Sequence, residues 1–358
     1  MSQSAAVVGA GVLGRLLALR LAREGWTVHL SDRDQERGTA SCTWVGAGMI
    51  SPYCEREAAE RLITELGLHA MGLWPALLQS LVRPVFYREL GSLVVAHPND
   101  RDELERLRRR VLENALRPDQ MREVRGDELS ELEPELNGRF PIGLYFPFER
   151  HLDNRELLAA LGETLRQAGV TTHYQTEVTR LQPHELHAAA GPERFDWVFD
   201  CRGLGAAADL KDLRGVRGEI LYLHAPDVHL RRPVRMMHPR YSIYIVPRAD
   251  QVYLVGATMI ESDDLGPITV RSTLELLSAA YSVQPAFAEA RLLETSVQCR
   301  PGFPDHHPRI MVEDGLMRIN GLFRHGFLIS PALVDFVAGY FAGNGIHPLA
   351  QTLWKAPA

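Results

Sequence analysis

The opening of the chain constrains the fold more than any other stretch. Ala5-Ala6-Val7-Val8 is an apolar run too short for a helix and suited to a buried parallel strand. It runs into Gly9-Ala10-Gly11-Val12-Leu13-Gly14, a complete G-x-G-x-x-G. Residues 15–24 are rich in Leu and Ala; Leu13, Leu17 and Leu21 form one stripe at helical spacing, and Gly25 stands where a helix stops. A second strand over 27–31 ends at Asp32. This is the order of a βαβ unit that holds a dinucleotide. Gly9 permits the tight turn, Gly11 lets the backbone approach a pyrophosphate, and Gly14 lets helix and sheet pack closely. The unpaired N–H groups and the positive end of the helix dipole then face the phosphates. Asp32 accepts from the ribose hydroxyls, and its charge disfavours a 2′-phosphate, which argues against NADP. The bland alternative is a glycine-rich turn in an unrelated α/β protein; strand, helix and terminal acid together weigh against it. The fingerprint does not separate FAD from NAD.

A chain of 358 residues exceeds what one simple core accommodates, so two domains are expected. Apolar residues at 46% and charged residues at 23% are ordinary for a globular protein. A formal net charge of −6 offers no electrostatic reason to bind nucleic acid. Cys42, Cys54, Cys201 and Cys299 form no C-x-x-C pair and no disulfide pattern, which suits a reducing cytoplasm. Met1 to Ser4 lack a basic n-region, so no secretory signal is expected. The apolar stretch 327–342 is broken by Pro331 and Asp335 and reads as a docked helix, so membrane insertion is not expected.

Residues 39–52 are dense in small side chains yet contain Trp44, with neither helical nor strand period. Such a loop either lies close to a flat ligand or is a plain connection. Residues 55–81 read as a long helix with a break near Pro75, 86–96 as a strand, and 100–116 as a charged helix. Arg106, Arg108, Arg109 and Arg110 on that helix are interleaved with acids and read as a solvated face. A short acidic helix over 126–136 ends around Pro134, and 143–148 is a further strand. Asp153 or Asn154 caps a helix over 155–167 that Gly169 stops. A strand over 170–174 and a β-rich piece over 177–190 precede the apolar strand 195–200. That strand enters Cys201-Arg202-Gly203-Leu204-Gly205, a second glycine turn at a strand end, where nucleotides sit in open α/β sheets.

From Gly218 the pattern turns antiparallel, with strands over 220–224, 241–246 and 252–257 and an amphipathic helix over 269–281. The first style returns with 296–305, a strand over 316–319, the turn 320–326 and a closing helix over 331–342. Leaving the βαβ domain and re-entering it twice implies two interleaved domains. Residues 1–85, 140–215 and 296–358 form the dinucleotide-binding one, and 86–139 with 216–295 the other.

The motifs in this order resemble the glycine oxidase and D-amino-acid oxidase family of FAD-dependent amine oxidoreductases, along essentially the whole chain. The resemblance rests on Val8 to Gly14, Gly46-Ala47-Gly48-Met49-Ile50-Ser51-Pro52, and Tyr244-Ile245-Val246-Pro247-Arg248 with Val255-Gly256-Ala257-Thr258. It rests equally on Arg300-Pro301 with Pro304-Asp305 and on Phe323-Arg324-His325-Gly326-Phe327. The chain is similar to the glycine oxidase type associated with thiazole biosynthesis. The resemblance implies an α/β fold in which a Rossmann-type FAD-binding domain interleaves with an antiparallel substrate domain carrying helices. It implies FAD held by Gly9, Gly11, Val12, Leu13, Gly14, Asp32, Arg33, Ser41, Gly48, Met49, Val178, Cys201, Gly203, Arg324, Gly326, Phe327 and Leu328. It further implies that Arg300, helped by Tyr244, pairs with a substrate carboxylate. A small amino acid, glycine or a small or N-methylated relative, is then oxidised at its C–N bond to an imine, and O2 becomes H2O2. The same fold also serves dehydrogenases that use a quinone or protein acceptor and non-catalytic flavoprotein subunits.

Residue chemistry agrees with the carboxylate role, because a planar guanidinium offers two N–H donors to two oxygens. Other roles stay open at this point. Arg300 before Pro301 can bridge the two domains; Arg324 can serve substrate, flavin or an acid; Tyr244 lies in an alternating strand where core tyrosines are common. His306, His307 and His325 lack metal-ligand spacing and read as structural, and Met236-Met237 reads as packing. Glycine oxidases commonly carry Asn where this chain has His325, whose ionisation near neutrality is expected to affect pH dependence. The segment before Arg300-Pro301 lacks the usual Gly-Leu. Cys299 is out of register with the region where related sarcosine oxidases tether flavin, so FAD is expected to be non-covalent.

Overall fold

The computed structural model describes residues 2–57, 61–113, 118–240 and 242–355. Its centre is the expected βαβ unit: strand Ser4–Val8, helix Val12–Arg23 and strand Thr27–Ser31. Ser4–Val8 pairs in parallel with Thr27–Ser31 on one side and with Trp197–Asp200 on the other. The chain thus leaves the first strand in one direction and returns on its opposite flank. Outside the carboxyl ends of two such strands lies a crevice, the usual ligand position in an open α/β sheet. Both glycine turns begin there, and the Cys201 N–H donates to the Val8 carbonyl at 2.7 Å. Leu316–Asn320, Arg309–Glu313 and Trp354–Lys355 extend this seven-stranded sheet beyond Trp197–Asp200, while Thr171–His173 forms its other edge. Helices Val12–Arg23, Arg61–Gln79, Asn154–Gln167 and Gly326–Phe341 bury their apolar faces in one core with it. Asp153 caps the third of these by accepting from the Arg155 and Glu156 N–H groups.

Two helices differ from the reading of the sequence. Arg61–Gln79 runs unbroken through Pro75, and the last helix begins at Gly326 and passes through Pro331 instead of starting there. A proline inside a helix leaves the carbonyl four residues earlier without its N–H partner. Here neighbouring elements supply the donors. Arg150 Nη1 donates to the Met71 carbonyl at 2.8 Å, and the Trp74 indole donates to the Phe327 carbonyl at 3.1 Å.

The second large sheet has eight strands, in the order Arg291–Gly302, Arg214–His224, Val252–Gly256, Ile243–Pro247, Val234–Met237, Ser92–Ala96, Ile142–Phe146 and Arg122–Arg125. All neighbours are antiparallel except Val234–Met237 and Ser92–Ala96. Ile142–Phe146 belongs here, although it falls in the 140–215 segment assigned above to the dinucleotide-binding part. Strand Arg291–Gly302 crosses the expected boundary at 296 and stays paired with Arg214–His224 to its end. The expected strand over 86–96 is two strands, Tyr87–Arg88 and Ser92–Ala96, divided where Gly91 adopts φ +75°. The first of these joins Arg150–Leu152 and Met49–Ile50 in a small sheet, and residues 178–194 form a separate three-stranded meander. Residue 241 and residues 114–116, parts of an expected strand and helix, lie outside the described residues.

Strand periodicity decides which side chains reach the ligand side of the eight-stranded sheet. Leu221, Leu223, Ile243 and Ile245 pack against helix Val270–Val283. Their alternates Ile220, Tyr222, Tyr244 and Val246 face the opposite way, onto Val45 and Ala47. Among the described residues no helix is long and apolar enough to cross a membrane.

The proline compensation is testable. Trp74→Phe leaves the buried Phe327 carbonyl without a donor and should cost about 1–3 kcal/mol in urea unfolding. Adding Pro331→Ala restores a backbone N–H to that carbonyl, so the double variant should recover part of the loss.

Candidate active site

The glycines of the first turn have different structural reasons. A Cβ on Gly14 would lie 1.8 Å from the Gly9 carbonyl oxygen, and one on Gly9, at φ +105°, would lie 2.4 Å from the Cys201 carbonyl oxygen. Both are glycine because the protein packs on them. Gly11 has φ −70°, and a Cβ there would meet only the Thr43 hydroxyl, at 3.3 Å. That contact is tight but is with a side chain and not with backbone, so the protein's own packing demands glycine less at 11 than at 9 or 14, and Gly11 borders open space. That space is a cavity of about 230 Å³ lined by Gly9, Gly11, Val12, Leu13, Asp32, Arg33, Ser41, Val178, Cys201 and Gly203, among others. Gly14 lies beneath the turn, outside the lining.

Asp32 is partly engaged by the protein. Its carboxylate accepts from the Ala10 N–H and, at 2.7 Å, from the Asp34 N–H, which ties the glycine turn to the end of the second strand. A carboxylate has about four acceptor positions, so two contacts leave capacity for ribose hydroxyls. Arg15, fully buried, holds the same turn from below by donating to the Ala10 carbonyl at 2.7 Å, the Leu158 carbonyl at 2.9 Å and the Glu36 carbonyl. An arginine among Leu and Ala gives no sign in sequence of being buried this way.

The loop 39–52 is a cavity wall. Cys42 and Thr43 line both the small cavity and a larger one of about 910 Å³, which also takes in Val45 through Met49. The loop is fastened from behind. Asn154 Nδ2 donates to the Thr43 and Trp44 carbonyls at 2.9 and 2.7 Å, and Arg248 Nη2 donates to the Ala47 carbonyl at 2.7 Å. Gly48, at φ +65°, has no room for a side chain, since a Cβ would lie 2.1 Å from the Leu152 carbonyl oxygen. The two cavities share Val12, Cys42, Thr43, Gln298, Phe323 and Gly326, so one groove runs from the dinucleotide turn to the eight-stranded sheet.

The larger cavity brings together Arg300, Tyr244, Arg324 and His325 with Gly48, Met49, Gly326, Phe327 and Leu328. Their charges are sorted by Glu55. Arg324 Nη2 pairs with Glu55 Oε2, while Arg235 Nη1 lies 3.6 Å from Glu55 Oε1. Burial would raise the Glu55 carboxyl, but Arg324 and Arg235 outweigh it and bring it to about 2. Of the three roles left open for Arg324, this geometry takes the acid. Arg300 is different. Nη1 donates to the Thr258 and Arg217 carbonyls at 3.2 and 3.4 Å, and no carboxylate among the described residues pairs with it. Burial lowers its pKa, an arginine nonetheless stays charged, and the cavity therefore presents a positive charge that Glu55 influences from a distance but does not pair with. Burial also raises the Tyr244 phenol, so that its hydroxyl stays a donor.

His325 does not titrate near neutrality, contrary to the expectation above. Its ring is buried, and burial followed by the Arg324 charge lowers its pKa to about 3. It is a neutral imidazole beside the arginines. Sequence reasoning missed Glu55, Arg235, Thr43 and Thr258 as site residues. Glu55 was hidden at the start of an expected helix, where an acid is unremarkable.

A profile of the family described as FAD dependent oxidoreductase matches residues 4–338, and the chain belongs to that family. It is 43% identical over 332 residues to a protein of Rhizobium etli named as a thiamine biosynthesis oxidoreductase, ThiO, covering 93% of this chain and 94% of that one. It is 29% identical over 375 residues to a glycine oxidase of Pseudomonas aeruginosa, covering 100% and 99%. The crystal structure of iminodiacetate oxidase from Chelativorans sp. BNC1 superposes with a TM-score of 0.85 at 25% identity, covering 99% of this chain and all of that one. The protein is an FAD-dependent oxidoreductase, and the residues present fit the cofactor: the space at Gly11 suits the pyrophosphate, and the groove leads on to the second sheet.

Two measurements check the site. Gly11→Val should leave the melting temperature of the apoprotein near wild type yet abolish FAD retention, whereas Gly14→Val should unfold the protein; equal effects of the two would refute the distinction. For His325 the sign follows from its lowered pKa: between about 3 and 6.5 the unfolded chain binds the extra proton, so stability falls as pH falls. His325→Asn should therefore reduce the acid-side slope of stability by up to about 1.4 kcal/mol per pH unit and leave stability above pH 7 without a new pH dependence.

Proposed function

We propose that this chain oxidises the C–N bond of a small amino acid, glycine or a small or N-methylated relative, to an imine that water hydrolyses, with O2 reduced to H2O2. The observation that carries the reading is Arg300, a half-buried guanidinium in the cavity wall that pairs directly with no carboxylate among the described residues. The names of the relatives point to the same chemistry. FAD, when bound, supplies the hydride acceptor and the route of the electrons to oxygen.

The chain's own residues supply binding and orientation. Arg300 takes the substrate carboxylate with the donors that Thr258 and Arg217 leave available. Tyr244 lies in the same cavity wall, and its neutral hydroxyl donates to the same carboxylate. Arg324, held by Glu55, does not compete for it, and neutral His325 adds no charge. Val45, Ala47, Met49, Ile220 and Phe327 give the cavity apolar walls that limit water around the reacting carbon. FAD is held without a covalent bond to Cys299, whose thiol points to the Ser262 and Asp264 carbonyls, both at 3.5 Å. Four free thiols accord with a cytoplasmic setting.

Purified protein should be yellow and release FAD on denaturation. Under anaerobic conditions glycine or its N-methyl relatives should bleach it, and on admitting air one H2O2 should form per turnover. Truncating one member of a buried charge pair costs roughly 2–5 kcal/mol. At about 1.4 kcal/mol per tenfold, Arg300→Ala should lower kcat/KM by on the order of 30- to 4,000-fold with FAD content unchanged. Arg300→Lys keeps the charge but not the two-pronged geometry and should recover only part. Equal loss for substrates with and without a carboxylate would make Arg300 structural.

A further inference from the structure

Arg300 is held by a feature of strand Arg214–His224 that neither the family motifs nor the cavity chemistry assigns. Gly218 lies in the interior of this strand, where glycine weakens pairing and commonly marks a close approach. Its φ is not in the left-handed range, so backbone conformation does not demand glycine. A Cβ there would lie 2.3 Å from Arg300 Nη2, 2.4 Å from Cζ and 2.6 Å from Nη1. Three nearly equal distances place that position over the flat face of the guanidinium, which rests on the bare backbone of Gly218.

The edge of the same guanidinium is fixed by the residues on either side. Nη1 donates to the Arg217 carbonyl and to the Thr258 carbonyl, at 3.4 and 3.2 Å. Thr258 is locked to Glu219. Its hydroxyl accepts from the Glu219 N–H at 2.9 Å and donates to Glu219 Oε2 at 3.0 Å, and its N–H donates to the Glu219 carbonyl at 3.3 Å. The Glu219 carboxylate, fully buried, is held by Arg217 Nε and Nη2 at 3.0 and 2.7 Å. Face and edge are therefore both set by one segment, residues 217–219, and its partner Thr258.

We propose that Gly218, together with the Glu219–Thr258 lock, is the positioning element that aims the Arg300 guanidinium at the substrate carboxylate. The inference rests on the reading of Arg300 as the carboxylate anchor. An alanine methyl at 218 must displace the guanidinium by about 1 Å to reach ordinary carbon contact. It need not move the backbone, because the clash is with the far end of a flexible side chain. Misplacement on that scale costs on the order of 100-fold in a reaction that depends on orientation.

The test is a double-variant cycle on the FAD-loaded protein, read by calorimetric binding of acetate, a carboxylate that cannot be oxidised, with acetamide as the uncharged control. Gly218→Ala should weaken acetate binding about 10- to 100-fold, leave acetamide unchanged and lower kcat/KM for glycine on the order of 100-fold. In an Arg300→Ala background Gly218→Ala should have no further effect, since the methyl then enters vacated space. Thr258→Val should weaken acetate binding and Thr258→Ser should restore it. Acetate binding by Gly218→Ala within twofold of wild type, or the same loss in both backgrounds, overturns the proposal. If Gly218→Ala fails to fold, the double variant decides. Recovery of folding supports the contact with Arg300; continued unfolding shows that the methyl clashes with something else and overturns it. Unchanged acetate binding in Arg300→Ala alone would instead remove the anchor itself, a result separate from the Gly218 arms.

Discussion

The absence of a side chain at Gly14 lets helix Val12–Arg23 settle until the Gly9 carbonyl oxygen occupies the place a Cβ would take, 1.8 Å from it. The cofactor groove depends on that approach. It sets the helix amino end against the first strand and brings Gly9 within 2.4 Å, measured from its hypothetical Cβ, of the Cys201 carbonyl. The two glycine turns, far apart in sequence, thereby share one wall at the point where strand order reverses. Buried Arg15 and the Asp32 carboxylate then hold the turn from two sides. A backbone held this way is fixed by the protein's own contacts, with its glycine turn lining the smaller cavity.

At the other end of the groove the controlling quantity is charge. One acid, Glu55, lies between Arg324 and Arg235, and the interaction is strong enough to bring its pKa to about 2 despite burial. Arg300 has only carbonyl oxygens as partners. A carbonyl dipole satisfies a donor but does not neutralise a charge, so the site keeps an unmet demand for an anion. Neutral Tyr244 and His325 leave that demand undiluted. Distribution of acids, more than the number of arginines, separates the arginine left without a paired carboxylate from those paired within the protein.

Much of this was legible in residue order. The βαβ unit, the second glycine turn and the alternating strand that carries Tyr244 all follow from short-range rules, because period and turn chemistry are local properties; which side of the sheet Tyr244 faces does not. The two prolines mislead for the converse reason. Pro75 and Pro331 break helices only where no other donor reaches the freed carbonyl, and Arg150 and Trp74 are distant in sequence from the carbonyls they serve. Strand Ile142–Phe146 pairs within the eight-stranded sheet although it falls in the expected 140–215 segment, since an apolar pentapeptide specifies that it is buried and not beside which neighbour.

The sequence by itself determined a βαβ unit with a glycine turn at residues 9–14 and an antiparallel sheet beyond it, and the family resemblance added Arg300, Tyr244, Arg324 and His325 as the polar residues to watch. Tertiary structure alone decided what each of them does. It joined Arg324 to Glu55, lowered His325 out of the neutral range by burial, and laid Arg300 on Gly218 with no directly paired carboxylate among the described residues. Type and spacing of residues are written along the chain. Pairing of charges, desolvation and the distance between atoms on different strands exist only once the chain has folded, and those are the quantities that leave one guanidinium facing a cavity and make another a brace for the protein.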